Sequence, residues 1–122
     1  MKLFLILAAA IALGLTSVIA GGPKSASITI AEQDATSVTF TVTQANYRNP
    51  YLLWVANKCY LNGELVNAEY QGVQWAAGEA TGTAGPFATS GDSCTAYVWE
   101  FPASETPERV RGADVALDFV VN

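Results

Sequence analysis

The chain has 122 residues and an acidic balance, with 11 Asp and Glu against 6 Lys and Arg and a formal net charge of −5. An acidic surface without a Lys/Arg cluster repels nucleic acid phosphates, so no nucleic-acid partner is expected. His is absent, which excludes Ser-His-Asp and Cys-His catalytic units and imidazole metal sites. We expect a protein that is not an enzyme and that uses neither a metal nor a cofactor.

The first twenty residues have the pattern of a secretory signal peptide. Met1-Lys2 is a short basic start, Leu3 to Leu15 is a run of apolar and small residues, and Val18-Ile19-Ala20 offers cleavage after Ala20. We predict a signal peptide over residues 1–20 and one domain over residues 21–122, secreted or held in the cell envelope. The alternative is an uncleaved membrane anchor, although this segment is at the lower edge of what spans a bilayer.

Alternation of apolar and polar residues predicts strands at the start of the domain. Ser25 to Ile30 alternates, and Glu32 to Ala35 is a predicted turn. Thr36 to Thr43 alternates most clearly, as in a strand with one buried and one solvated face. Its apolar side carries Val38, Phe40 and Val42. Gln44 to Pro50 is a connection, because the residue before a proline avoids helix.

The stretch from Tyr51 to Gln71 predicts a β-hairpin. Asn62-Gly63 lies between two apolar-rich runs, and this dipeptide is the strongest short-range hairpin signal because both turn residues need positive φ. A regular hairpin would place Cys59 opposite Val66, Tyr60 opposite Leu65 and Lys58 opposite Asn67.

The rest of the chain predicts shorter strands and loops. We expect a short strand over Val73–Trp75, one weak strand within Gly78–Gly91, a strand over Asp92–Phe101, an exposed loop over Pro102–Gly112, and a last alternating strand over Ala113–Val121. No segment of the predicted domain combines a helical period with helix caps. Seven or eight short strands with frequent turns indicate an all-β, antiparallel β-sandwich.

Several of these features resemble the immunoglobulin-like superfamily over nearly the whole predicted domain. Trp54 lies in the third strand, where such domains often carry Trp, and Cys94 lies near the start of the penultimate strand, within Asp92–Tyr97. The pattern is also similar to small exported or phage-encoded bacterial proteins of this fold. The second strand has no Cys, however, so the usual disulfide between the sheets is impossible, and a bond would join two neighbouring strands of one sheet.

Two cysteines in an exported chain favour one disulfide, between Cys59 and Cys94, and two free thiols are the alternative. If these residues are directly opposed, Val55 faces Val98, Asn57 faces Ala96, Ala56 faces Tyr97 and Trp54 faces Trp99. Alternation then separates two faces. One is compact and apolar: Val55, Cys59, Val66, Ala68, Tyr70, Cys94, Ala96 and Val98. The other is aromatic with polar interruptions: Trp54, Ala56, Lys58, Tyr60, Leu65, Glu69, Tyr97, Trp99 and Phe101.

We expect the compact face to be the core and the aromatic face to be an exposed binding surface, formed by Trp54, Tyr60, Tyr97, Trp99 and Phe101. The opposite assignment, with Trp54 and Trp99 in the core, stays open.

The sequence therefore predicts a non-enzymatic binding module that recognises a protein or glycan at the cell surface, with self-association possible. The alternatives are a structural cell-surface or virion decoration domain and a small-ligand carrier or inhibitor of immunoglobulin-like fold. Asp114 and Asp118 share a strand face, but their spacing does not match a calcium loop.

Overall fold

The protein is a two-sheet, all-β structure in a computed structural model that describes residues 23–75, 80–101, 105–110 and 112–121. Its strands are β1 (Ser25–Gln33), β2 (Ser37–Ala45), β3 (Leu53–Leu61), β4 (Glu64–Gly72), β5 (Gln74–Trp75), β6 (Thr81–Ala88), β7 (Ser93–Glu100) and β8 (Val115–Val120). Two 3-10 turns cover Pro50–Leu52 and Pro107–Arg109. Within these residues no helix is long and apolar enough to cross a membrane. The predicted signal peptide, residues 1–20, lies outside the described residues.

Both sheets are antiparallel and have four strands. One has the order β1-β2-β6-β5 and the other the order β4-β3-β7-β8. The predicted all-β sandwich is therefore confirmed at the level of two packed antiparallel sheets. The core lies between them and is built from apolar residues that alternate along the strands. Its most buried members include Val38, Phe40, Val42, Leu53, Val55, Phe87, Ala96 and Val98.

Most strand predictions agree with the structure, with two differences in extent. β1 continues through Glu32 and Gln33, so the turn is shorter than predicted; there the Oδ1 atom of Asp34 accepts from the backbone N–H groups of Thr36 and Ser37 at 2.9 Å each. The weak strand predicted within Gly78–Gly91 is β6, which has eight residues and pairs with β2 along most of its length. Its small residues have low strand propensity, and the strand is stabilised by backbone hydrogen bonds to β2.

The β3–β4 hairpin has the predicted turn but not the predicted register. Asn62 and Gly63 both have positive φ, at 53° and 85°, and Tyr60 lies opposite Leu65 as expected. A bulge then inserts Val66, so that Cys59 faces Asn67 and Lys58 faces Ala68. The predicted pairs Cys59–Val66 and Lys58–Asn67 are wrong. Because a one-residue shift exchanges the two faces of a strand, β4 is turned over relative to the prediction from this bulge onward.

The disulfide joins Cys59 of β3 to Cys94 of β7, as predicted, and no free cysteine occurs among the described residues. The two residues are directly opposed in neighbouring strands. The predicted partners follow from this register: Val55 with Val98, Asn57 with Ala96, Ala56 with Tyr97, and Trp54 with Trp99. The bond therefore lies within one sheet and does not connect the two sheets.

Candidate functional site: the outer face of the β4-β3-β7-β8 sheet

One face of the β4-β3-β7-β8 sheet belongs to the core, and it is the predicted one. Five residues of the predicted compact face are almost fully buried: Val55, Cys59, Cys94, Ala96 and Val98. Their neighbours along the strands point away from the core and form the outer face. The bulge changes the membership on β4, because Tyr70 now lies opposite Ala56 on the outer face and Glu69 lies opposite Asn57 on the inner face.

Four aromatic rings pack together at one end of the outer face. Trp54 stacks on Phe101 with ring centroids 4.6 Å apart, and Tyr70 lies 5.2 Å from Trp54 and 6.3 Å from Trp99. Three of these residues were predicted to share a surface. Tyr70 was assigned to the core, since the bulge that brings it here leaves no trace in the alternation of β4.

Residues 105–110 fold back over this end of the face. The turn Pro107–Arg109 contacts β3 and β4, and the Nζ atom of Lys58 donates to the carbonyl oxygen of Glu108 at 3.3 Å. Glu105 and Pro107 are buried. The prediction of an exposed loop over Pro102–Gly112 is therefore wrong for these two residues, while residues 102–104 and 111 lie outside the described residues.

Trp99 is the most buried of the four rings. Only 2 % of its surface is exposed, so the expectation that it forms an exposed surface is wrong. Its Nε1 atom is buried and has no hydrogen-bond partner among the described residues. Trp54 and Phe101 are half-buried, and Tyr70 keeps 38 % of its surface exposed. Together with Ala56 and Trp99, these three residues make up what we call the covered half of the outer face.

The other end of the outer face is open, and Tyr60 and Tyr97 lie at its centre. The Nζ atom of Lys58 lies 5.0 Å from the centroid of the Tyr97 ring, within the range of a cation–π contact. The Oγ1 atom of Thr95 donates to the Oδ1 atom of Asp118 at 2.6 Å. Burial raises the pKa of Tyr60, and the neighbouring Tyr97 and the charge of Asp118 raise it further.

An apolar row crosses the open end of the face. Tyr60 lies between Leu65 and Ser93, and Ser93 lies opposite Val120, so the row passes through all four strands. Leu65 is 43 % exposed and Val120 is 67 % exposed, and the bulged Val66 beside them is 49 % exposed. We call this row, with Tyr97 and its polar neighbours Lys58, Thr95 and Asp118, the open half. Val120 was not among the predicted binding residues, although alternation in the last strand places its side chain on the face that points away from the core.

The open half has hydrogen-bonding groups but no arrangement suited to a metal. The described residues contain no group of three or more His, Cys, Asp or Glu that could hold an ion. Asp118 is engaged by Thr95, and a hydrogen bond to Asp114 contributes to the raised pKa of Tyr47. A groove of about 400 Å³ lies elsewhere, where β4 meets β6, and is lined by Ala68, Glu69, Tyr70, Gln71, Pro86, Ala88 and Pro107.

Comparison of the chain with protein-family models, curated proteins and solved structures gives no match.

Proposed function

We propose that this chain is an exported, non-enzymatic binding module of immunoglobulin-like fold, which contacts a protein or glycan through the open half. The strand order supports the fold assignment. In immunoglobulin-like sandwiches the first, second, fifth and sixth of eight strands make one sheet, and the remaining four make the other. The orders β1-β2-β6-β5 and β4-β3-β7-β8 follow that arrangement.

The observation that carries the proposal is the apolar row across four strands. Solvent-facing strand positions are usually polar, yet three of the four residues in this row are apolar or aromatic: Leu65 beside Tyr60, and Val120 beyond the intervening Ser93. An apolar strip with a polar rim has the composition of a protein-recognition surface. Aliphatic side chains give a sugar ring little to stack on, so the open half favours a protein over a glycan.

The predicted binding residues have different roles in this proposal. Tyr60 and Tyr97 contact the partner directly, since aromatic rings with polar tips bury much area at little entropic cost. Trp54 and Phe101 belong to the covered half and are only half-buried there. Trp99 is buried within the aromatic cluster and does not touch the partner. Pairing of two copies through Trp54 and Trp99 is therefore not part of the proposal.

A surface-protein and glycan binding screen of the disulfide-bonded chain 21–122 would test the proposal. We expect a protein to be bound, and we expect Tyr60→Ala and Val120→Asp each to weaken its affinity at least about tenfold, as loss of a central contact often does. Tyr51→Ser is the matched control, because Tyr51 is 70 % exposed but lies on the 3-10 turn away from the open half.

The thermal unfolding temperatures of Val120→Asp and Tyr51→Ser should stay close to that of the parent, because both positions are exposed. Tyr60 is partly buried, so the affinity of Tyr60→Ala is measured at a temperature at which circular dichroism shows it folded. A screen in which nothing binds would contradict the proposal. So would a bound partner that tolerates both open-half substitutions but is lost with Tyr51→Ser.

A further inference from the structure

The edge strand β8 has backbone groups that no neighbouring strand uses. Val121 N donates to Asp92 O at 3.1 Å. This bond shows which residues of β8 direct their backbone hydrogen-bonding groups toward β7. In an antiparallel pair, alternate residues bond to the same neighbour, so the odd-numbered residues of β8 bond to β7. The backbone N–H and C=O groups of Ala116, Asp118 and Val120 therefore point away from the sheet.

The other edge strands of the two sheets are protected in ways that β8 is not. β4 is bulged at Val66, β1 has a register shift between Ile30 and Glu32, and β5 has only two residues. Bulges and short lengths are the devices by which sheet edges avoid further pairing. β8 pairs regularly over six residues and contains no proline, Lys or Arg. Among the described side chains, Gln33 covers one of its outward groups, through a 2.8 Å bond from Nε2 to Val120 O.

We propose that β8 pairs with β8 of a second copy of this chain, antiparallel and about a two-fold axis at Leu117. This register places Ala116 of each copy opposite Asp118 of the other, and both residues direct their backbone groups outward. Each such pair would exchange both of its N–H···O=C bonds. The interface goes beyond the proposed function because it uses the backbone edge of β8, although the side chains of Asp118 and Val120 on this strand also belong to the open half.

Electrostatic repulsion favours this register over the one with the two-fold axis at Asp118. An axis at Asp118 would oppose two carboxylates directly, which is unfavourable on adjacent strands, and would need the Val120 carbonyl that Gln33 already occupies. With the axis at Leu117, each Asp118 faces the small, neutral Ala116. On the inner side, Leu117 meets Leu117 of the second copy and Val115 meets Phe119, all side chains that are only partly buried in one copy.

Sedimentation equilibrium of the disulfide-bonded chain 21–122 tests the pairing. We expect a reversible dimer. Ala116→Asp would oppose two pairs of carboxylates and weaken the dimer about two- to thirtyfold, whereas Ala116→Lys would oppose Lys to Asp118 and tighten it by a similar factor. Ala116 is exposed, so neither change should disturb folding.

Tyr51→Asp and Tyr51→Lys are the matched controls, because they change the net charge equally at an exposed position away from β8. They should leave the dimer constant unchanged. A monomeric parent chain overturns the proposal, and so do equal shifts at positions 51 and 116, which would report net charge alone. Loss of the dimer on Tyr60→Ala with no response to Ala116→Asp would place the contact on the open half instead.

Discussion

At the scale of single residues, Trp99 is notable because it is buried on the outer face of a sheet. Its ring lies in an aromatic cluster with Tyr70 and Phe101. Burial of an indole normally requires a partner for its N–H group, yet its Nε1 atom has none. The residue therefore combines a large apolar contribution to stability with an uncompensated polar atom.

Two substitutions separate these contributions. Trp99→Ala should lower the free energy of unfolding by about 3–5 kcal/mol, because it leaves a large cavity. Trp99→Phe should cost far less, since removal of an unpaired buried donor returns about 1–3 kcal/mol. Chemical denaturation of both variants measures the difference. Equal losses for the two would mean that the indole N–H group is satisfied in solution.

Tyr47 should make stability depend on alkaline pH. Burial raises the pKa of its phenol above the ordinary value, and a hydrogen bond to Asp114 and the charges of Asp114 and Glu100 act in the same direction. A group whose pKa is higher in the folded state stabilises the protein fully below its unfolded pKa, near 10, and this contribution is lost as the pH rises above that value. The unfolding free energy of Tyr47→Phe should therefore fall less steeply above about pH 10 than that of the parent. Tyr51→Phe, at an exposed ring, should keep the parent slope.

At the scale of elements, side chains on the inner face of β4 make the hydrogen bonds to β6 that the backbone of a neighbouring strand would otherwise make. β5 pairs with β6 only at Thr83 and Gly82, which leaves the stretch from Gly85 to Ala88 without a backbone partner on that side. The Oε1 atom of Gln71 accepts from Gly85 N at 3.2 Å, its Nε2 atom donates to Pro86 O at 3.3 Å, and the Oε1 atom of Glu69 accepts from Ala88 N at 3.0 Å. These side chains satisfy the edge of one sheet from the other.

Amide hydrogen exchange can resolve the two contacts separately. Gln71→Ala should accelerate exchange at the Gly85 amide and leave the Ala88 amide protected, and Glu69→Ala should do the reverse. Each change should cost about 1 kcal/mol of stability, the usual net value of a hydrogen bond. Glu64→Ala, at an exposed position of the same strand, is the control and should alter neither amide. Uniform loss of protection in all three variants would refute the strand-like role.

The disulfide also contributes to stability at this scale, because it links β3 to β7. Cys59 and Cys94 are 35 residues apart, and closing a loop of that length reduces the entropy of the unfolded chain by an amount worth roughly 3–4 kcal/mol. The double variant Cys59→Ala/Cys94→Ala should lose about that much stability in denaturant titrations. An intact mass of the exported parent chain that shows two free thiols would contradict the pairing itself.

At the scale of the whole molecule, the sequence predicted what depends on alternation and on the disulfide. The register of β3 against β7 follows from Cys59 and Cys94 alone, whereas the core side of that sheet was predicted from the compact, apolar character of one of the two faces. The bulge at Val66 was not predictable, because Leu65 and Val66 suit a strand in either register. The burial of Trp99 was missed for a related reason: alternation assigned Tyr70, whose ring centroid lies 6.3 Å from that of Trp99, to the opposite face of the sheet.

Export is a prediction for the whole chain. If the apolar N-terminal segment is a signal peptide, N-terminal sequencing of secreted protein should begin at Gly21, because Ala20 follows the small and aliphatic residues that precede cleavage. Retention of Lys2 in a membrane fraction would favour the uncleaved anchor.

The disulfide within one sheet also determines how the protein would respond to a mechanical load. A force applied between the two ends of the chain can straighten the residues before Cys59 and after Cys94, but the bond between them bypasses everything in the intervening loop. The 35-residue separation corresponds to roughly 120 Å of extended chain that stays slack while the bond is intact. The strands β4, β5 and β6 would therefore carry no direct tension, and a reducing agent would add the length of the loop to the stretched molecule.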